Sequence, residues 1–172
     1  MNTYYTTDEK YLKAVEKYYY GKTPKSLQLL NDIIAADPQY ARAYFQLGKI
    51  YFYELKDYQQ AGYCFKTCNE LDAAFPDVYY HYMRLLSFLN MTKTMNSVKE
   101  KALQTPGVEH AGIWEILALN AEKNNDLALA RSCYEKAFEI VTSSKRMENI
   151  QDGLNRIEEK QQRKKAYLYS LS

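Results

Sequence analysis

Two stretches of the chain repeat one another, and this repetition limits the fold more than any other feature. From Ala41 the sequence reads ARAYFQLGKIYFYELKDYQQAGYCFKTCNELD, and from Ala111 it reads AGIWEILALNAEKNNDLALARSCYEKAFEI. Laid together, Tyr44 falls on Trp114, Leu47 on Leu117, Gly48 on Ala118 and Tyr51 on Ala121. In the second halves Ala61 falls on Ala130, Phe65 on Tyr134, Cys68 on Ala137 and Leu71 on Ile140, with one extra residue in the turn of the first copy. Fainter copies begin at Thr7 and Pro76, so the starts at 7, 41, 76 and 111 lie 34, 35 and 35 residues apart. A unit this short cannot bury its own apolar face and is stable only when stacked on neighbours.

The units read as helix pairs. Leu, Ala, Glu, Lys and Gln are common, and only six glycines and four prolines interrupt 172 residues, which favours an all-helical chain. Glycine inside a helix costs roughly 1 kcal/mol against alanine. Gly48 therefore implies a second helix so close that a side chain would not fit. Ala14 and Ala118 are the next smallest choices at the same position; Met83 is not small, so the third unit is expected to splay or shift in register. Lys99, where an aromatic residue recurs elsewhere, and the glycine-free turn NMTK also depart from the pattern. Asp57 and Asp126 stand where the second helices need N-caps. Thr23-Pro24 reads as a capping threonine followed by a first-turn proline. Pro38, Pro76 and Pro106 lie between units.

A large aromatic, Leu-Gly, a tyrosine and a later Ala-x3-Phe resemble the tetratricopeptide repeat. The resemblance covers about residues 7–142, in units of about 7–40, 41–75, 76–110 and 111–143. It implies a single all-α repeat domain, a right-handed superhelical array of antiparallel helix pairs. Met147, Ile150, Leu154 and Ile157 then form one apolar stripe on a charged helix at about 145–168, expected to cap the array or, alternatively, to bind a partner or a second copy.

The resemblance also implies where function sits. In the family the first helix of each unit lines a concave face, through its second, fifth, ninth, twelfth and thirteenth positions. In the first unit these positions include Tyr11, Val15, Tyr18 and Tyr19, and in the second Arg42, Phe45, Lys49, Phe52 and Tyr53. The third contributes Asp77, Tyr80, Arg84, Ser87 and Phe88, and the fourth Glu115, Leu119, Glu122 and Lys123. Aromatic rings with Arg42, Lys49 and Arg84 among them suit a peptide with apolar anchors and acidic groups. Chaperone-binding members use a carboxylate clamp, with lysine at the fifth position and asparagine at the ninth. Here those positions hold Tyr11 and Val15, then Phe45 and Lys49, so capture of a chaperone's C-terminal carboxylate is not expected.

Other functions find little support in the sequence. A net charge of +2 with no long basic stripe argues against nucleic acid. The opening MNTYYTTDEK does not read as a leader, and no apolar run approaches a membrane span. Cys64, Cys68 and Cys133 read as interface fillers in a reducing, cytoplasmic setting rather than metal ligands. No nucleophile pairs by spacing with His81 or His110, and there is no phosphate loop. The expectation is a non-catalytic peptide- or protein-binding adaptor without metal or cofactor. The alternative is a self-associating structural module, whose aromatic face and C-terminal helix form a homo-oligomer interface.

Overall fold

The computed structural model describes residues 5–170, with side chains described through Tyr167; the first four residues of the stretch read for a leader lie outside the described residues. Regular structure among the described residues is entirely helical. In chain order it comprises α1 (Thr7–Tyr19), α2 (Thr23–Ala36), α3 (Ala41–Lys49) with a π-helical continuation (Ile50–Leu55), α4 (Tyr58–Leu71) and α5 (Asp77–Phe88). Then follow α6 (Thr92–Gln104), α7 (His110–Lys123), α8 (Leu127–Ile140) and α9 (Ser144–Ser170). None of the described helices is long and apolar enough to cross a membrane. The chain forms two compact units, Met1–Leu85 and Leu86–Ser172.

In the first unit α1 packs on α2 and α3 on α4. Ala14, Leu30, Ile33, Ala43, Leu47, Ile50 and Cys64 form one buried cluster. Ser26 is also fully buried, and its hydroxyl donates to the Ala14 carbonyl at 2.8 Å, which satisfies this polar atom between α1 and α2. The α3–α4 contact is the close approach that Gly48 implies. A Cβ on Gly48 would stand 2.6 Å from two ring atoms of Phe65, a residue with no exposed surface. The aromatic ring thus fills the space the glycine leaves.

Capping follows the sequence at α4 and α8 and departs from it at α2. Asp57 accepts from the Gln60 backbone N–H at 3.0 Å, and Asp126 accepts from that of Leu129 at 3.0 Å. Thr23 is already inside α2. The cap position is Lys22, with no side-chain hydrogen bond, so Pro24 rather than a capping hydroxyl sets this helix start. At α1, Thr6 and Glu9 form a reciprocal capping box that sequence reasoning passed over.

The extra residue of the repeat at Ala41 is not in the turn where the sequence comparison put it. It is absorbed within the helix as the π-helical segment Ile50–Leu55. The closing bond runs from the Asp57 N–H to the Tyr51 carbonyl at 3.0 Å, six residues back. Its counterpart, from Asp126 to Ala121 at 2.9 Å, spans five. One residue in an α-helix is about 100° of rotation; the wider π turn takes up that rotation, so the chain still reaches Asp57 in register to start α4.

In the second unit α7 packs on α8, and α9 packs on both. Ile150 and Ile157 have no exposed surface, Gly153 is buried and Leu154 is half-buried. Met147, expected on the same stripe, is instead 40% exposed. The buried line runs Ile150, Gly153, Ile157, one step away from the stripe expected from hydrophobicity alone. Gly153 takes part because a Cβ there would strike the Tyr134 ring.

Replacing Gly48 by alanine should destabilise the protein by about 1–2 kcal/mol, because overpacking against Phe65 exceeds the gain in helix propensity. Urea denaturation measures it. In a Phe65→Leu background the same change should cost measurably less; an equal cost in both backgrounds would remove Phe65 as the cause.

Candidate functional site

The site begins with the register of α3. In the first unit, Phe45, Lys49 and Tyr53 follow one another on α3 and its π continuation, opposite His81 and Arg84 of α5. The Phe45 ring lies 5.1 Å from that of Phe75 and 5.5 Å from that of His81. Lys49 Nζ sits 5.3 Å from the centre of the Phe45 ring. The Arg84 guanidinium lies 5.7 Å from the Tyr53 ring centre and 5.8 Å from that of Tyr80. Among the described residues, neither Lys49 nor Arg84 has a carboxylate within ion-pairing distance. The cations rest on ring faces instead.

His81 is the hinge of this arrangement. Its Nδ1 lies 2.8 Å from the Tyr53 hydroxyl, which can donate to it when the imidazole is neutral. Burial lowers its pKa to about 4, with the positive charges of Lys49 and Arg84 acting in the same direction. Burial likewise lowers Lys49, which Asp77 partly offsets, and raises Tyr53, which Arg84 partly offsets. The cluster is therefore a desolvated lysine and an arginine around a neutral, hydrogen-bonded histidine.

Beside it lies a cavity of about 400 Å³, lined by Val15, Tyr18, Tyr19, Gly21, Thr23, Gln46, Lys49 and Glu54. Two of these lining residues bond to each other, Tyr18 donating to Glu54 at 3.2 Å. Gln46 is only 2% exposed, and its amide Nε2 has no hydrogen-bond partner. A buried donor left unpaired costs roughly 1–3 kcal/mol. Sequence reasoning did not single out Gln46; an amide set within the apolar run AYFQLG was the available signal.

The residues expected to line a peptide groove fall into several environments. Tyr11 and Tyr18 are half-buried on α1, Tyr11 with its ring 5.7 Å from that of Tyr40, and Arg42 is exposed. Tyr53 and Tyr80 are half-buried, and Arg84 is exposed. Phe45 and Phe52 are not surface residues: they are 6% and 9% exposed and packed under the others. For Phe52 the π-helical turn supplies the reason, since it shifts every position after Ile50 relative to an α-helical count. Phe45 is covered by Phe75, His81 and Lys49.

In the second unit Phe88 and Lys123 are exposed, and Lys123 Nζ approaches the Phe88 carbonyl at 3.5 Å. The acidic positions here already have partners within the chain. Arg146 at the start of α9 pairs with Glu115 and, at 2.8 Å, with Glu109. Glu122 accepts from Arg156 at 3.0 Å, from Lys160 at 2.8 Å and from the Tyr134 hydroxyl at 3.0 Å, with its side chain only 9% exposed. Burial opposes the charge on Glu122, but these hydrogen bonds outweigh it and bring the pKa down to about 2. Sequence reasoning assigned Glu115 and Glu122 to a groove by their register in the first helix of the unit; with α9 read as an apolar stripe, the role of its cations was not visible.

Burial pushes the Cys64 and Cys68 thiols up to about 12, so they are inert fillers rather than nucleophiles. Among the described residues no group of three or more His, Cys, Asp or Glu side chains could hold a metal ion.

The helix pairs and their register define a repeat scaffold, a class that offers extended surfaces to other proteins. The tetratricopeptide repeat family model matches residues 41–75 and 111–140, so these two segments are similar to tetratricopeptide repeats. Mouse Superkiller complex protein 3 is 29% identical over 127 residues, a match that covers 70% of this chain and 8% of that much longer protein. Among solved structures, MamA superposes with a TM-score of 0.69 at 16% identity, covering 94% of each chain. PilW, a widely conserved type IV pilus biogenesis factor, gives 0.69 at 18% identity, covering 77% of this chain and 61% of its own. A thermophilic tetratricopeptide-repeat protein of Thermus thermophilus, TTC0263, gives 0.68 at 16%, covering 87% and 81%. At these identities the likeness is one of fold.

Acid should weaken the two units in different windows. His81 takes up its proton at about pH 4 when folded and 6.5 when unfolded, so the first unit loses stability as pH falls from 6.5 towards 4. Glu122, at about 2 folded and 4.5 unfolded, makes the second unit lose stability between 4.5 and 2. NMR-monitored titration should place the His81 midpoint near 4, and a midpoint near 6.5 would contradict its burial. Glu122→Gln should cost about 2–3 kcal/mol at neutral pH, read from urea denaturation.

Proposed function

We propose that the chain is a non-catalytic peptide- or protein-binding adaptor. The peptide lies along the first-helix surface of the unit Met1–Leu85, over Tyr11, Tyr18, Lys49, Tyr53, Tyr80 and Arg84. One observation carries this reading: Lys49 and Arg84 are held on aromatic faces with no carboxylate paired to them. A half-buried cation with no carboxylate at ion-pairing distance and only the longer-range charge of Asp77 acting on it, as Lys49 is, favours an acidic group arriving from outside. The rings supply contact area at low entropic cost. The adjoining cavity, which Gln46 helps to line, accepts a side chain. Phe45 and Phe52 support this surface from beneath. The buried thiols suit a reducing compartment such as the cytoplasm.

Selection from a random peptide library tests the reading. Bound peptides should be enriched in Asp or Glu beside large apolar residues. Lys49→Ala with Arg84→Ala should weaken a selected peptide at least tenfold, while circular dichroism stays unchanged. Peptides without acidic enrichment, or affinity untouched by the double change, would remove this surface as the site.

Gln46→Leu gives a second, sharper outcome. It removes a buried unpaired amide, so the melting temperature should rise. A fall would mean that Gln46 is needed for packing instead.

A further inference from the structure

Position 153 bears on more than packing. The small-residue position of the repeats is held by Ala14, Gly48, Met83 and Ala118, and 35 residues beyond Ala118 lies Gly153. Gly153 meets Tyr134 of the second helix before it, whereas Gly48 meets Phe65 of the second helix after it, and Phe65 and Tyr134 hold the same place in their second helices. α9 therefore stands in the register of a further first helix. α7 ends at Lys123 and turns into α8, whereas α9 runs on unbroken through the equivalent point, as one helix of 27 residues.

The side of α9 beside the end of α8 has a defined chemistry. A cavity of about 390 Å³ lies between the end of α8 and the start of α9, lined by Phe138, Ser144, Met147, Glu148, Gln151 and Asp152. Phe138 and Met147 are 41% and 40% exposed, although both are large and apolar. Glu148 and Asp152 flank them without an ion pair, although elsewhere on α9 Arg146, Arg156, Lys160 and Arg163 are all paired.

We propose that this groove docks an amphipathic helix of a partner protein, with apolar anchors three and four residues apart and a basic flank. The anchors would cover Phe138 and Met147, and lysine or arginine would face Glu148 and Asp152. The site is separate from the cationic surface around Lys49, and its charge preference is opposite.

The probe is a synthetic 14-residue helix with leucines three and four apart and lysines on both flanks. Its counterpart carries glutamates on the flanks. Fluorescence anisotropy with the full chain should show binding of the lysine peptide and at least tenfold weaker binding of the glutamate peptide. Glu148→Lys with Asp152→Lys should reverse that preference. Should the double change disturb α9, Glu148→Gln alone should still reduce the preference severalfold. Lys49→Ala with Arg84→Ala should leave it unchanged. Failure of both peptides to bind, equal binding of the two, or a preference insensitive to Glu148 would overturn the proposal. So would a concentration-dependent dimer that Met147→Glu converts to monomer, since the groove would then be filled by a second copy.

Discussion

The contact between an aromatic ring on a second helix and a bare backbone on a first helix is the constraint on which the rest of this structure depends. Phe65 lies on Gly48, and Tyr134 lies on Gly153. In both places a Cβ would collide with a buried ring, so the helices are as close as the backbone allows. The closeness has a cost in helix propensity that packing density offsets. It also decides orientation: with the small residue turned towards the ring, the remaining faces of each first helix are directed to neighbouring helices or outwards.

The two units use that geometry to different electrostatic ends. In the first, Lys49 and Arg84 lie on aromatic faces around a neutral His81, with no carboxylate paired to them. In the second, the acidic side chains of α7 are engaged by α9, through Arg146 on Glu115 and through Arg156 and Lys160 on Glu122. Gly153 makes the second arrangement possible, because it lets the Tyr134 hydroxyl reach Glu122 and Arg156. A repeat scaffold tolerates such divergence because each unit needs only its neighbours for stability.

The π-helical segment shows how a local irregularity changes a surface. One added residue in an α-helix would turn everything after it by about 100°. The chain keeps Asp57 at the start of α4 by widening one turn, and in doing so it moves Phe52 inward and sets Tyr53 against His81. The same insertion in a loop would have left the positions from 50 to 55 as an α-helical count places them.

The sequence by itself determined the class of fold, because a repeated pattern of small, aromatic and capping residues admits few solutions. The close approach of a second helix at Gly48 and the caps at Asp57 and Asp126 could be read directly, since each is a short-range rule of backbone and sterics; that the Phe65 ring fills the space at Gly48 could not. The side-chain surroundings were decided only in the tertiary structure. That Phe45 is covered, that Met147 is exposed while Gly153 is buried, and that Gln46 lacks a partner all depend on residues distant in sequence. Glu122 shows the reason most plainly. Its partners Arg156 and Lys160 lie 34 and 38 residues away, and only the packing of α9 on α7 brings them within hydrogen-bonding distance. Spacing along one helix can place a carboxylate on a face, but it cannot say which charge will come to meet it.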